Sequence, residues 1–374
     1  MSWVIPEFSR EEVNRSGKLL AEASKEQVAF WTIAMTKQYF RSLDVVNNWR
    51  AAHGYPLNIL QNNLRKTAKR FDKNPIVAQR VKRLPSIELK LVRFPNMKLS
   101  QMQDLGGCRA ILKNVGAVKR TALYYMTDSR IKHELATLDD YIDKPKSSGY
   151  RGVHLVYRYR SDKQQTYNDL KIEIQIRSQF QHAWATAVET VGMFSGQALK
   201  SSLGSDKWQR FFQLMGSVVA MREKSPLVPG TPEGERELIR ELRYLAHELD
   251  VDTKLNGYSK VLGNITERTT DEHYYLMELT PSQGSLIITG FPRQETEKAS
   301  KMYAEAEQRA KNIPGADAVL VSVDSITALT KAYPNYFADT RLFVLLLGDA
   351  LTGRQRPVTR VGDFRFGFNR GHGR

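Results

Sequence analysis

A single cysteine, Cys108, stands among 374 residues, so no internal disulfide forms and zinc held by paired thiols is excluded. Long apolar runs are also missing: none approaches the ~20 residues that cross a bilayer. The opening MSWVIPEFSREEVNRS has no basic segment followed by an apolar one, which leads to the expectation of a cytoplasmic protein with no membrane partner. Histidines are scattered (His53, His133, His247, His273), and no HExxH or His–Asp spacing marks a metal-dependent hydrolase. Acidic residues are in short supply: 40 Asp and Glu face 56 Lys and Arg, a formal charge of +16. That excess points to a polyanion, phosphate or nucleic acid, although a basic surface also serves solubility.

What is present is the composition of a globular protein, 41% hydrophobic and 26% charged, in a chain longer than one core usually serves. Ser9 and Glu12 form a capping box, and residues 9 to about 70 follow a helical period that ends in the basic stripe Lys66, Lys69 and Arg70. Short strand patterns come next at Cys108–Leu112, Val153–Tyr159 and Lys171–Ile176, with helices at Gln179–Val191 and Lys207–Arg222. The Pro/Gly stretch SPLVPGTPEGE marks a boundary, and a helix over Glu235–Leu249 follows it. Near residue 270 begins a ββαβα pattern, and residues 351–374 read as a flexible basic tail. The expected class is α/β or α+β, a mixed sheet flanked by helices with a smaller ββαβα unit. Its expected divisions are 1–225 catalytic, 226–269 linker helices, 270–350 C-terminal domain and 351–374 tail.

Four segments carry chemistry. Arg80, Lys82, Arg83 and Lys90 gather cations around a turn, suited to a triphosphate or to a solvated basic face. Gln103-Asp104-Leu-Gly106-Gly107-Cys-Arg109 sets an acid at a strand mouth beside glycines that let a ligand approach the backbone. The loop Lys144-Pro-Lys146-Ser-Ser-Gly149-Tyr150-Arg151-Gly152-Val-His154 joins cations to a ring able to stack a base. In Lys171-Ile-Glu173-Ile-Gln175-Ile-Arg177, strict alternation puts Glu173, Gln175 and Arg177 on one strand face, with the isoleucines behind. Phosphoryl-type transfer needs Mg²⁺ on one or two carboxylates and cations on the phosphates, and Asp104 and Glu173 are the obvious pair.

The order RxK…SIxxK, DLGGCR, KSSGYRGVH and EIQIR resembles the RelA/SpoT synthetase domain over about residues 75–190. The resemblance implies transfer of the β,γ-pyrophosphate of ATP to a ribose hydroxyl. Arg80 and Arg109 would then sandwich adenine, and Lys82, Lys90 and Ser86 would hold the phosphates. Asp104 and Glu173 would bind Mg²⁺, and Tyr150 would stack the acceptor base. Gln175, Arg177 and His154, with the loop lysines Lys144 and Lys146, would support the acceptor. Whether Glu173 or the substrate handles the nucleophile's proton stays open. His182 and Trp184, in QHAWA, are expected to pack.

The C-terminal pattern with Tyr333-Pro-Asn-Tyr336 resembles the pseudo-zinc-finger domain of the CapRel group, fused toxin and antitoxin synthetases, and no cysteine is left there to bind zinc. That resemblance implies that Tyr333 and Tyr336 close over the adenine site, by cation–π stacking on its arginines. It further implies pyrophosphorylation of the tRNA 3′ end, which inhibits translation in anti-phage defence, with a phage structural protein such as capsid as the activator. The alternatives are a small-molecule alarmone synthetase and an inactive RNA-binding regulator. A monomer is the favoured assembly.

Overall fold

In the computed structural model the described residues are 3–23, 32–127, 131–195, 206–261, 264–267, 272–311, 313, 315–323, 325–337 and 339–354. The N-terminal half comprises α1 (Arg10–Ala23), α2 (Ile33–Ala52), α3 (Gly54–Phe71), β1 (Ile76–Val81), α4 (Leu84–Arg93), β2 (Gly106–Leu112), α5 (Val115–Thr127), β3 (Glu134–Asp140), β4 (Val153–Arg158) and β5 (Lys171–Ser178). Four helices follow, α6 (Gln179–Ser195), α7 (Asp206–Glu223), α8 (Glu235–Glu248) and α9 (Val251–Val261). The chain continues through β6 (Asn264–Glu267), β7 (Tyr274–Thr280), β8 (Ser285–Phe291), α10 (Thr296–Lys311), β9 (Asp317–Ser322), α11 (Ile326–Ala332) and α12 (Arg341–Thr352). This is a mixed α/β architecture whose strands form one nine-stranded sheet, β3-β4-β5-β2-β1-β9-β7-β8-β6.

Period-two patterning explains the centre of the sheet. Ile172, Ile174 and Ile176 of β5 are fully buried against a cluster that includes Leu57, Leu60 and Leu64 of α3 and Val118 of α5. Each such side chain stabilises the fold by about 1.5–3 kcal/mol relative to exposure. The alternate residues Glu173, Gln175 and Arg177 stand on the opposite face. Because β5 runs parallel to β2 and β4 antiparallel to it, Gly107 faces Glu173, Arg109 faces Gln175, and His154 faces Gln175 from the other side. Ala78 of β1 pairs with Arg109, which makes Arg80 its diagonal neighbour on the same face. One face of four strands therefore holds most of the polar residues singled out from the sequence.

The capping box is present: Glu12 N donates to Ser9 Oγ at 3.2 Å, and Ser9 N to Glu12 Oε2 at 3.4 Å. The ββαβα order also appears, as β7-β8-α10-β9-α11. Four expectations need correction. The basic run after residue 80 is the end of β1 followed by α4, not a turn alone, because Pro85 sits in the first turn of the helix, where its missing N–H costs nothing. The linker helices are core: Leu238, Leu242 and Leu245 of α8 and Leu255 of α9 join Phe211 and Phe212 of α7 in one buried cluster. The C-terminal unit extends the sheet of the N-terminal half, since β9 pairs with β1 at Gln79↔Ser322 and Arg80↔Val321. Finally, α12 runs to Thr352, past the expected boundary at 350, and buries Phe343, Leu346 and Leu347 among α6 to α9. Most of the expected tail, 355–374, lies outside the described residues.

The Pro/Gly stretch after residue 225 is anchored too. Arg151, 2% exposed, donates to the carbonyls of Ile142, Gly216 and Pro226 and to Ser225 Oγ. Residues 141–152 are thereby tied to the end of α7, where Gly149 (φ +93°) abuts Gly216. A Cβ on Gly149 would lie 2.7 Å from Phe212 O, and one on Gly216 would lie 2.7 Å from Gly149 Cα.

Candidate active site

The polar sheet face, the 141–152 loop, α6 and α7 enclose a cavity of about 510 Å³. Asp104 stands at its rim, before β2. Its Oδ2 accepts from Lys82 Nζ at 2.7 Å and its Oδ1 from Lys90 Nζ at 3.0 Å. Burial pushes this carboxyl up, but the two ammonium groups outweigh it and hold it down to about 2, so Asp104 is ionised at neutral pH. Gly107 projects nothing between Arg80 and Glu173, and even a Cβ there would remain 3.9 Å from Glu173 Oε2.

Glu173 ends a closed set of hydrogen bonds. Arg177 Nη2 donates to Tyr150 Oη at 2.7 Å and to Gln175 Oε1 at 2.9 Å. Gln175 Nε2 donates to Glu173 Oε2 at 2.6 Å, and His154 Nδ1 meets Glu173 Oε1 at 2.7 Å. Tyr150 Oη and His154 Nε2 complete the ring at 2.5 Å. Two arms thus run from one guanidinium to one carboxylate. Burial raises the Glu173 carboxyl, and its bonds from His154 and Gln175 more than reverse that, leaving it below the usual carboxylate range. Arg177 is 3% exposed, and its Nε and Nη1, like Nε of Arg109, are buried with no hydrogen-bond partner. Burial and the neighbouring Arg177 together lower Arg109 to about 10.

The donor set suits magnesium. Asp104 and Glu173 are ionised oxygen donors lining one cavity, which is the hard-ligand chemistry Mg²⁺ takes when phosphates and waters complete its shell. No group of three or more His, Cys, Asp or Glu is clustered for a metal among the described residues, so the two carboxylates need substrate oxygens to complete a site.

Arg80 and Arg109 meet the C-terminal unit. The Tyr333 ring centroid lies 5.8 Å from Arg109 Cζ, Arg109 Nη1 reaches Ala332 O at 3.5 Å, and Tyr333 Oη donates to Gln79 O at 3.3 Å. Tyr333 is 4% exposed. Tyr336 meets the neighbouring cations instead of Arg109: its hydroxyl donates to Asp317 Oδ2 at 2.7 Å, accepts from Arg83 Nη1 at 3.3 Å and interacts electrostatically with Arg80. Behind them lies a buried ionic contact. Arg50 Nη2 pairs with Glu307 Oε2 at 2.9 Å, Tyr303 Oη donates to Glu307 Oε1 at 2.8 Å, and Leu84 N donates to the same oxygen at 2.8 Å. Glu307 of α10 therefore caps α4, the helix that carries Lys90.

Of the residues singled out from the sequence, Arg80, Lys82, Lys90, Asp104, Arg109, Lys146, Tyr150, His154, Glu173, Gln175 and Arg177 line the cavity. Ser86 is half-buried in the first turn of α4 and Lys144 is exposed, both outside the lining. His182 packs as expected: its Nε2 meets Lys331 O at 3.2 Å, and burial drives its pKa down to about 3. Trp184 packs by donating Nε1 to Phe212 O at 2.9 Å, and it also lines the cavity. Sequence reasoning missed Gln209, Phe212 and Gln213 of α7, which share a helix face at i, i+3 and i+4. Two glutamines on an otherwise apolar helix face were the available signal.

Residues 79–193 match the family described as a region found in RelA/SpoT proteins, and that stretch supplies the sheet wall of the cavity. The GTP pyrophosphokinase YjbM of Bacillus subtilis (strain 168) is 34% identical over 119 residues, which are 31% of this chain. The match spans only 56% of that relative's length. Among solved structures, small alarmone synthetase 1 from Bacillus subtilis shares 24% identity over 46% of this chain and 87% of its own, at a TM-score of 0.38. A GTP pyrophosphokinase family protein from Streptococcus pneumoniae shares 24% over 46% and 85%, also at 0.38.

Proposed function

We propose that this chain is an ATP-dependent pyrophosphokinase that transfers the β,γ-pyrophosphoryl group to a ribose hydroxyl. The observation that carries the reading is one cavity in which two ionised carboxylates, Asp104 and Glu173, lie between cations and a tyrosine-bearing loop. In the reaction the hydroxyl oxygen bonds to the β-phosphorus, the bond to the α,β-bridging oxygen breaks, AMP leaves and the hydroxyl proton is released. Arg80 and Arg109 would take the adenine, and Lys82 and Lys90 would exchange Asp104 for phosphate oxygens. Mg²⁺ on Asp104 and Glu173 would supply charge neutralisation of the triphosphate. The unpaired N–H groups of Arg109 and Arg177 support an anion between the two substrates. Tyr150 and His154 would seat the acceptor, with Gln175 and Arg177 holding them in register.

For the acceptor we favour the 3′ end of tRNA, since the net charge of +16 and the exposed Lys66, Lys69, Arg70 and Lys144 suit a long phosphate backbone. The proposed role is translation arrest in anti-phage defence, in the cytoplasm. The C-terminal unit serves as the lock, with Tyr333 on Arg109 as its bolt, and a phage structural protein that prefers the open arrangement releases it. A second reading, an alarmone synthetase acting on guanosine or adenosine nucleotides, is favoured by the names of the relatives, a GTP pyrophosphokinase and small alarmone synthetases.

The test is to incubate γ-³²P-ATP and Mg²⁺ with the full-length protein, and in parallel with its Tyr333→Ala/Tyr336→Ala form, offering tRNA or GTP and GDP. Label on tRNA supports the leading reading. Label on the free nucleotides alone moves the protein to the alarmone reading, and label on neither leaves a binding module.

A further inference from the structure

The sheet has one end that the core does not cover. In the strand order β3-β4-β5-β2-β1-β9-β7-β8-β6, β3 is terminal, so one side of its backbone has no neighbouring strand among the described residues. Leu135 stands opposite Tyr157 and Leu138 opposite Leu155, and both partners belong to the buried cluster behind the sheet. Opposed residues share a face, and the irregularity between Leu135 and Thr137 keeps both leucines on that one. They nevertheless stay 39% and 38% exposed. On the same face α5 continues the apolar strip. Its Tyr124 turns toward Phe71 of α3, with ring centroids 6.2 Å apart, whereas Lys119 reaches Asp143, just beyond β3, at 2.6 Å. Leu123 and Met126 follow Lys119 at i+4 and i+7, on the side toward β3, and are 53% and 49% exposed. Open backbone beside four exposed apolar side chains is the surface that an extended segment docks on as an added strand.

Charge decides the occupant. β3 carries Glu134, Asp139 and Asp140 and no cation, and Asp139 is exposed at the mouth of the cavity. A second copy paired antiparallel about Thr137 would set Glu134 opposite Asp140 and Leu135 opposite Asp139, acid against acid and apolar against acid. A basic, alternating segment fits instead. We infer that residues 364–370 of this same chain, Phe364-Arg365-Phe366-Gly367-Phe368-Asn369-Arg370, dock along β3 as a further strand. Period two puts the three phenylalanines on one side, over the leucines and Met126, and Arg365 on the other. The register that sets Arg365 opposite Asp139 also sets Phe366 opposite Leu138 and Arg370 opposite Glu134. The chain reaches this edge. Arg354 follows α12, whose Asp349 lies 3.9 Å from Arg222 at the end of α7. Ser225 and Pro226, just past that end, are bonded by Arg151, which also donates to the carbonyl of Ile142, two residues beyond β3. Two side-chain contacts thus join the end of α12 to the end of β3, and residues 355–364 span up to about 33 Å when extended. Arriving at Asp140, the segment runs antiparallel to β3 and brings a cation to the cavity mouth.

Disulfide trapping in the full-length protein tests this, because the single native thiol, Cys108, is buried. The variant Leu138→Cys/Phe366→Cys is oxidised in dilute solution beside Leu89→Cys/Phe366→Cys, which offers an exposed partner on α4 instead. The intrachain bond to residue 138 should form at least about tenfold faster, since a docked pair exceeds the effective concentration of a merely tethered one. Equal rates, or a bond formed between chains, overturn the inference. Hydrogen exchange supplies a second reading that needs no change to the packed residues. Amides of β3 should exchange about tenfold or more faster in full-length Arg365→Glu/Phe366→Ser than in the unaltered protein. Identical exchange of β3 in the two proteins overturns the inference as well, and neither outcome depends on which acceptor the cavity takes.

Discussion

At the proposed acceptor end of the cavity, Tyr150, His154, Glu173, Gln175 and Arg177 hydrogen-bond one another from adjacent strands and one short loop. At the proposed donor end, Arg80 and Arg109 meet Tyr333, a residue more than two hundred positions away, through a sheet that the C-terminal unit extends by only two register pairs, Gln79↔Ser322 and Arg80↔Val321. The first end is linked by hydrogen bonds among its own residues, while the second is covered by a tyrosine and backed by the Arg50–Glu307 pair. Local networks make rigid sites, and contacts between separate units make sites that can be switched.

The largest effect tests the clamp. Glu307→Ala leaves Arg50, 4% exposed, as a buried unpaired cation, a loss of about 3–5 kcal/mol. Affinity for a non-hydrolysable ATP analogue, measured in a Glu173→Gln background, should rise by about a hundredfold or more. The paired change Arg50→Met/Glu307→Leu should restore the weak binding, because apolar packing replaces the pair. Equal affinities in all three proteins would mean that α10 does not govern the donor end.

Tyr150→Phe should act on the other end alone. It removes the hydroxyl between Arg177 and His154, a charge-assisted bond of about 1.5–3 kcal/mol, and should raise the acceptor KM with ATP-analogue affinity unchanged. A change on the donor side would show that the two ends are not independent.

Acid should loosen the cover. His182 is held neutral by burial and by the neighbouring Arg109 and Arg177, which lower its pKa to about 3 from an ordinary 6.5 despite the Lys331 carbonyl. A free imidazole takes a proton below about 6.5, so docking weakens progressively as pH falls from 6.5 toward 3 and is insensitive above that range. At pH 5 the loss stays below about 2 kcal/mol, because Arg109 and Arg177 disfavour the proton in the open arrangement too. Hydrogen exchange of α11 should therefore accelerate between pH 7 and 5, and His182→Gln should flatten the dependence.

The smallest effect belongs to Tyr333→Leu, which keeps an apolar side chain in that buried place, removes the contact with Arg109 of about 0.5–2 kcal/mol and should tighten ATP-analogue binding by about tenfold. Tyr336→Ala should do so through Arg83 and Asp317 instead, so its effect should vanish in an Asp317→Asn background. If the Tyr336 effect persists there, that ring bears on the clamp after all.

Strict alternation in residues 171–177, the glycines at 106 and 107 and the spacing of Tyr150 and His154 are local patterns, and the residues they single out lie together on one side of the sheet, hydrogen-bonded to one another. Period two on a strand determines which side chains share a face, and that needs no distant partner. The same reasoning passed over Gln209 and Gln213, whose place on an otherwise apolar helix face gains a meaning only once Gly149 is seen against Gly216. Nor could it place α4, whose start depends on a cap supplied by Glu307. The division into catalytic, linker and C-terminal parts was too clean for a related reason: α8, α9 and α12 bury their apolar faces in one cluster with α7, and β9 pairs with β1. The sequence by itself determined the charge, the strand faces and the order of the chemical motifs, all of which depend on residues a few positions apart. Only the tertiary structure decided which ring meets Arg109, which carboxylate neutralises Arg50 and which glutamines line the cavity, since those contacts join residues tens to hundreds of positions apart and arise from packing alone.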